Sequence, residues 1–350
     1  MEYRVGVAGL RQAAGLINLF ESYPNTKVTA ICDTDEVLLN EVGQQHGIEQ
    51  RFTDYAAFVQ ADIDIVELST PIQVHCQQAI DAMKHGKHVL SQYIAATDKA
   101  EADELLRVAL DSGKKYMFIE TDCYERRNRT MVALARQGVL GELTWGRGEY
   151  IHDCKSLGYK SDGSYTWRGQ LWKKGLGGIA AGVHTCMPLL QVFDERVETL
   201  CAMGPGVRML PEFGWNDTVI ALCKFPSGRM IQLQIDIFSY RPARSGYFLQ
   251  GTRGCFEYDR ATMVSEGPLS DWKSLDQLAE EYQLADIMPD SKGHHSAFAL
   301  CIKDFMTAID NNTRPPLDLS DSLHVTAIGW AIDESLQTSS TVKVVSFDNP

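Results

Sequence analysis

The chain has 350 residues, of which 44% are hydrophobic and 23% charged, and its formal net charge is -13. That length suits two domains better than one core. So acidic a surface repels nucleic acid and anionic membranes, which both require a basic footprint, so neither is expected as a partner. No stretch reaches 18 apolar residues free of charge, and no secretory-type segment is evident at the start, so a cytoplasmic protein is expected. The nine cysteines are scattered, with no C-x-x-C pair, which points to reduced thiols. No H-E-x-x-H or other convincing ligand spacing occurs, and no metal is expected.

Over the first 120 residues, short β-like runs alternate with helical patterns. Strands are expected at Arg4–Ala8, Lys27–Cys32, Ile63–Leu68, Lys87–Leu90 and Tyr116–Ile119. Helices are expected at Ala13–Ser22, Glu36–His46, Val74–His85 and Lys99–Ser112. Such alternation predicts a doubly wound parallel sheet. After Glu120 the pattern changes. Helices are expected at Arg126–Gln137 and Gly182–Phe193, and again near His295–Ile309 and Asp321–Leu336. Between them lie strand-like runs at Glu142–Ile151, Glu198–Ala202, Thr218–Phe225, Met230–Phe238, Tyr247–Gln250 and Cys255–Tyr258. FPSGR, Phe225 to Arg229, is a hairpin turn signal. The expectation is an α/β Rossmann domain over 1–121, followed over 122–350 by an α+β domain with a large, mainly antiparallel sheet.

The turn after the first strand reads GVAGLRQAAG. Against a G-x-G-x-x-G/A fingerprint the register is Gly9, Arg11, Ala14. Gly9 suits the tight turn and Ala14 the close helix packing, while Arg11 stands where a glycine normally lets a pyrophosphate approach. Leu10 and Gln12 lie in the same turn, whose helix N-terminus can still take an anion. Asp33 ends the second strand, where a carboxylate bonds ribose hydroxyls and disfavours a 2′-phosphate. NAD is therefore the expected cofactor. Ser69, Thr70 and Pro71 follow the next strand, with His75 on the helix behind them and Gln92 ending the strand after. All are grouped with the cofactor residues.

Ser69 to Leu90, STPIQVHCQQAIDAMKHGKHVL, resembles the TPxxxH…GKHV signature of the glucose–fructose oxidoreductase / inositol dehydrogenase / rhizopine catabolism (Gfo/Idh/MocA) family. GTRGCFEYD, Gly251 to Asp259, and WRGQLWKKGLGGIAAGVH, Trp167 to His184, resemble later stretches of it, so the likeness spans nearly the whole chain. It implies an NAD-binding domain, a sugar-like substrate carried by the second domain, and a homodimer or homotetramer associating partly through the open sheet face. Two hallmarks are altered. The family's Glu-Lys-Pro is replaced by Gln92-Tyr93-Ile94, so Tyr93 stands at the lysine position. Its D-x-x-x-H pair keeps His184 but has Ala180 in place of the aspartate.

GEYIHD, Gly148 to Asp153, resembles the branch of that family containing NAD-dependent glycosidases. Strand alternation sets Tyr150 and His152 on one face. The branch's Tyr-Pro-Thr-His run is missing, and Lys173 and Lys174 occupy that region. Tyr93, Tyr150, His152, Lys173, Lys174 and His184 are the expected catalytic groups. Tyr124, Trp167, Arg168, Tyr240 and His294 are the expected substrate contacts. The leading expectation is an NAD-dependent oxidoreductase transferring hydride at a secondary hydroxyl of a sugar or cyclitol. One alternative is glycoside cleavage through transient C3 oxidation, elimination, water addition and re-reduction. Another is a non-catalytic dinucleotide-binding protein.

Overall fold

The structure, a computed structural model, describes residues 2–263, 271–284 and 294–347, with backbone alone for 178–181 and 294–295. The chain forms two compact units. The first runs to Thr121 and also takes in His294–Leu323 and Phe347; the second starts at Asp122 and takes in His324–Ser346. The stretch 122–350 is thus not one continuous body.

The first unit is built on six parallel strands: β1 (Tyr3–Ala8), β2 (Thr26–Cys32), β3 (Gln50–Phe52), β4 (Ile65–Leu68), β5 (His88–Gln92) and β6 (Tyr116–Ile119). Their spatial order is β3-β2-β1-β4-β5-β6. β4 (IVEL) and β6 (YMFI) are buried at every residue, as strands covered on both faces must be. Aspartates start the helices where the sequence places them. Asp35 accepts from the Leu38 N–H ahead of Glu36–Gln45, and Asp98 from the Glu101 N–H ahead of Lys99–Ser112. Gly113, at φ 63°, ends the latter helix. The late helix His294–Asp310 belongs to this unit, and its Asp310 accepts from the Tyr3 and Tyr23 hydroxyls at 3.0 and 3.1 Å. The segment after it lies along β6, where Leu317 O accepts from Phe118 N at 3.0 Å.

The second unit carries nine strands: β7 (Leu143–Ile151), β8 (Thr199–Met203), β9 (Val219–Lys224), β10 (Met230–Asp236), β11 (Arg244–Gly251), β12 (Gly254–Glu257), β13 (Arg260–Met263), β14 (Lys273–Ser274) and β15 (Val342–Lys343). The order is β14-β13-β12-β11-β7-β10-β9-β8-β15, and every neighbouring pair is antiparallel except β7 with β10. Helix Gly178–Phe193 lies across one face. Gly146 and Gly148 of β7 make this possible, since a Cβ at Gly148 would overlap the Thr185 carbonyl oxygen. Beside the sheet, Trp172, Phe213 and Phe238 pack with ring centroids 5.2–5.6 Å apart.

Several elements differ from the sequence pattern. The first helix is three short pieces, Leu10–Ala13, a 3-10 turn at Ala14–Leu16, and Ile17–Glu21. Gly15 interrupts a run too short to hold one continuous helix. Helix Gly178–Phe193 starts four residues earlier than periodicity indicates. β3, β13, β14, β15 and the helices Tyr55–Phe58, Trp167–Lys173 and Leu275–Glu281 are too short to show a period. Ser274 opens the last of these with a capping box completed by Gln277.

Candidate active site

The strand order reverses at β1, so the carboxyl ends of β1 and β4 flank a topological switch point, the usual place for a ligand in such a sheet. Gly9 tops β1 with φ 91°, and a Cβ there would sit 2.5 Å from the Ser69 carbonyl carbon and 2.7 Å from Thr70 N. Only glycine allows this approach. Asp33 ends β2 and ties the turn together: Oδ2 accepts from Leu10 N at 2.7 Å, and Oδ1 from Asp35 N at 2.9 Å. Leu10 is buried, whereas Gln12 and Arg11 are exposed, and the Arg11 guanidinium is 3.4 Å from Asp35. The arginine therefore stands outside the turn rather than blocking it. Ala14, half-buried, follows in the third position.

At the ends of β4 and β5 lie Ser69, Thr70, Pro71 and Gln92. Thr70 Oγ1 donates to Gln78 Oε1 at 2.5 Å. The buried Gln92 side chain has no hydrogen-bond partner at Nε2 among the described residues. A buried amide donor at the carboxyl edge of the sheet suits a polar ligand there. The Gly9 turn, Asp33 and this amide offer donors and an acceptor that could hold a dinucleotide. His75 departs from its expected role. It is buried, with Nε2 2.5 Å from Thr70 O and Nδ1 3.3 Å from Ile94 O, so the ring lies against backbone carbonyls and its N–H donates to one of them. Glu67, absent from the sequence-based set, is fully buried on β4. It accepts from Ser69 Oγ at 2.6 Å, and burial pushes its carboxyl up to about 8.

In the second unit, Tyr150 and His152 share the helix-facing side of β7, and His184 comes from the helix above it. The three half-buried rings stack: Tyr150 and His184 are 4.8 Å apart at 27°, Tyr150 and His152 5.8 Å apart at 17°. Two imidazoles and one phenol come together, groups that can pass protons between them. Cys154 Sγ lies 3.3 Å from His152 Nδ1.

Behind the stack, the buried Tyr247 hydroxyl is 3.2 Å from Asp122 Oδ2 and also hydrogen-bonds the His184 carbonyl oxygen. Asp122 is buried, with a carboxylate oxygen within 4.8 Å of a His184 ring nitrogen. Sequence reasoning missed Asp122 because it sits in a 3-10 turn, Thr121–Tyr124, far along the chain from His184. It places a carboxylate beside His184 although position 180 is alanine.

The other expected residues separate. Tyr124 is buried in that same turn. Trp167 and Arg168 open helix Trp167–Lys173, with the Arg168 guanidinium 4.2 Å from the Trp167 ring centroid. Tyr240 is 83% exposed and carries the Lys155 ammonium 3.8 Å over its ring. Lys173 and Lys174 are exposed. They line a cavity of about 310 Å³ with Gly175, Gly214, Asn216, Leu336 and Gln337, none of which belongs to the ring stack. Tyr93, half-buried, follows β5 in the first unit. The His294 side chain lies outside the described residues.

Three family models match the chain. The oxidoreductase family, NAD-binding Rossmann fold, matches residues 3–120; the GFO/IDH/MocA C-terminal domain matches 128–257; the glycosyl hydrolase 109 C-terminal domain matches 208–348. A glycosyl hydrolase family 109 protein of Solibacter usitatus is 27% identical over 377 residues, covering 96% of this chain and 86% of the relative. Another from Saccharopolyspora erythraea is 24% identical, covering 91% and 77%. Levoglucosan dehydrogenase, solved with NADH and L-sorbose, superposes with a TM-score of 0.84 at 19% identity, covering 99% of this chain and 100% of that one. The scyllo-inositol dehydrogenase of Lactobacillus casei gives 0.78 at 20%, covering 98% of each chain.

Proposed function

This chain belongs to the Gfo/Idh/MocA oxidoreductase family with NAD as its cofactor, and from that premise we propose that it transfers hydride at a secondary hydroxyl of a sugar or cyclitol. The observation that carries this reading is the His152–Tyr150–His184 stack. The Gly9 turn, Asp33, Ser69–Pro71 and Gln92 would hold NAD, which would supply the hydride acceptor. An alcohol that gives up hydride must also give up its hydroxyl proton, and the second unit supplies groups for that step. His184 accepts the proton through the Tyr150 hydroxyl, which passes on its own proton as it receives the substrate's, and Asp122 steadies the imidazolium of His184. Tyr93 replaces the family lysine with a phenol. A neutral phenol donates a hydrogen bond but no positive charge, so developing alkoxide depends more on the histidines.

A second reading is glycoside cleavage with NAD recycled. The glycosyl hydrolase 109 C-terminal match over 208–348 and the names of the sequence relatives favour it. The same histidine–tyrosine groups would take the proton at C2 and return it. The missing Tyr-Pro-Thr-His run counts against it.

The assembly we propose is a homodimer or homotetramer in the cytoplasm. Strand register sets Cys201, Leu222, Gln232, Arg147 and Phe248 in one row on the sheet face away from helix Gly178–Phe193. Leu222 and Met203 on that face are 45% and 73% exposed. An open sheet face with exposed Leu222 and Met203 among polar residues suits a second copy of the chain. No disulfide links the nine cysteines, which fits a reducing compartment. No helix among the described residues is long and apolar enough to cross a membrane.

The test is to denature freshly purified protein and assay released NAD and NADH by mass spectrometry. Polyols and glycosides are then supplied with added NAD. Net NADH absorbance with polyols supports the oxidoreductase reading. Release of the leaving group without net NADH supports cleavage. Protein that neither retains nor binds either nucleotide overturns both.

A further inference from the structure

The proton transfer leaves the thiol beside the ring stack unused. Cys154 is 6% exposed, and its Sγ lies 3.3 Å from Nδ1 of His152. Other buried thiols of the chain turn to the backbone. Cys76 donates to the Glu101 carbonyl at 3.2 Å, and Cys186 to that of Val183 at 3.8 Å. Cys154 faces an imidazole instead, one whose ring stacks on Tyr150.

The backbone fixes this pair. His152 and Cys154 follow directly on β7, and both are tied to the end of β10. His152 N donates to Asp236 O at 2.8 Å, and Cys154 N to Ile237 O at 2.8 Å. Asp153 between them is exposed, and its carboxylate is taken up by Lys155 at 3.2 Å. The two side chains are therefore held against each other by the strands themselves, with no flexible segment between them.

The direction of the contact follows from what each atom can do. Burial pushes the Cys154 thiol up to about 11, so it keeps its proton at neutral pH. Among the described residues Sγ has no hydrogen-bond partner besides Nδ1. A neutral imidazole nitrogen accepts better than a thiol sulfur, so S–H donates to Nδ1 rather than Nδ1–H to sulfur. The bond made by one ring nitrogen decides where the ring's own proton sits, and here that leaves it on Nε2. Nε2 has no protein partner among the described residues, and the ring is only half-buried, so its N–H is open to a ligand.

We propose that Cys154 is a positioning residue: it holds His152 as the Nε2–H tautomer, a hydrogen-bond donor that steadies the negative charge growing on the substrate's reacting oxygen. The proposal deepens the sugar-oxidoreductase reading above and rests on it. It divides the work between the two imidazoles. His184, with Asp122 beside it, takes the proton through Tyr150, whereas His152 keeps its own proton and only donates. A fixed donor matters in this chain because the phenol of Tyr93 brings no positive charge to that oxygen.

The experiment uses the full chain with NAD. Its histidines carry a heavy-nitrogen label for NMR, and the His152 signals among the nine are identified by their loss in His152→Asn. Spectra at alkaline pH, where imidazoles are neutral, show which nitrogen of His152 carries hydrogen. The same chains are assayed on polyols and glycosides. The expected result is a proton on Nε2 in the parent and in Cys154→Ser, whose hydroxyl also donates, with kcat values within about 3-fold of each other. Cys154→Ala should mix the two tautomers and lower kcat about 10-fold, with KM and NAD affinity little changed. A proton on Nδ1 in the parent overturns the proposal by itself, whether or not the alanine variant folds. An alanine variant with the parent's spectrum and kcat overturns it too, as does a serine variant no better than alanine, since the thiol would then only fill space. Any of these leaves the oxidoreductase reading standing. A parent that holds the Nε2 proton and binds NAD, yet turns over no polyol or glycoside, defeats that reading and this proposal with it.

Discussion

Asp33 shows how one side chain carries two duties at the residue scale. Its carboxylate fixes the Gly9 turn through Leu10 N and Asp35 N, and in the proposed cofactor site it also meets the ribose. Asp33→Ala should weaken NAD binding at least about 10-fold by calorimetry, because two backbone donors lose their acceptor as well. Glu67 gives a pH signature. Its carboxyl ionises near the ordinary 4.5 in the unfolded chain and at about 8 in the native one. Between those values the native state holds a proton that the unfolded chain has released, so stability falls as pH rises through that window and levels off above it. Glu67→Gln removes the titration. Its melting temperature should exceed that of the parent at pH 8 and match it near pH 4, with a gain on the order of 2 kcal/mol at neutral pH. His184→Ala should cut kcat about 100-fold or more while NAD affinity by calorimetry stays put, since the ring is in the second unit and the nucleotide turn in the first. Equal losses in kcat and NAD binding would mean the ring serves the fold instead.

At the scale of elements, the Tyr150–His184 ring stack depends on one close approach. Helix Gly178–Phe193 brings His184 over Tyr150 only because Gly146 and Gly148 leave room for it on β7. Gly148→Ala must push the helix off the strand, since the Cβ meets the Thr185 carbonyl and no side chain can swing away. The expected outcome is a loss of about 2–4 kcal/mol in denaturant unfolding, with activity reduced further than stability alone explains. A variant of unchanged stability and activity would show that the helix yields freely. These elements were legible in the sequence to different degrees. Alternation on β7 places Tyr150 and His152 on one face without any tertiary knowledge, because strand side chains have a period of two. The helix Trp167–Lys173 was not legible: seven residues with two tryptophans and a glycine show no helical period, and only packing on the Gly158 turn reveals it.

At the scale of the molecule, the acidic charge and the sheet face together bear on assembly. Light scattering should give a mass at least twice the 39.0 kDa of the chain, and Leu222→Glu with Met203→Glu should shift it toward one copy. A single-chain mass for the parent protein would refute the assembly. The amino-acid sequence by itself determined the order of β1, β2, β4, β5 and β6 with the longer helices between them, the Gly9 turn and the carboxylate at Asp33. These are local: a strand, a glycine with positive φ and a residue at a strand end are fixed by near neighbours. It also carried the family resemblance, which motif spacing preserves at low identity. The tertiary structure decided what depends on distant segments. It returned residues 294–323 to the first unit, set the His75 ring against backbone carbonyls, set Lys173 and Lys174 around a cavity of their own, and brought Asp122 to His184 across 62 positions of chain. No local periodicity encodes such meetings, because they follow from which faces the packed sheet and helices bury.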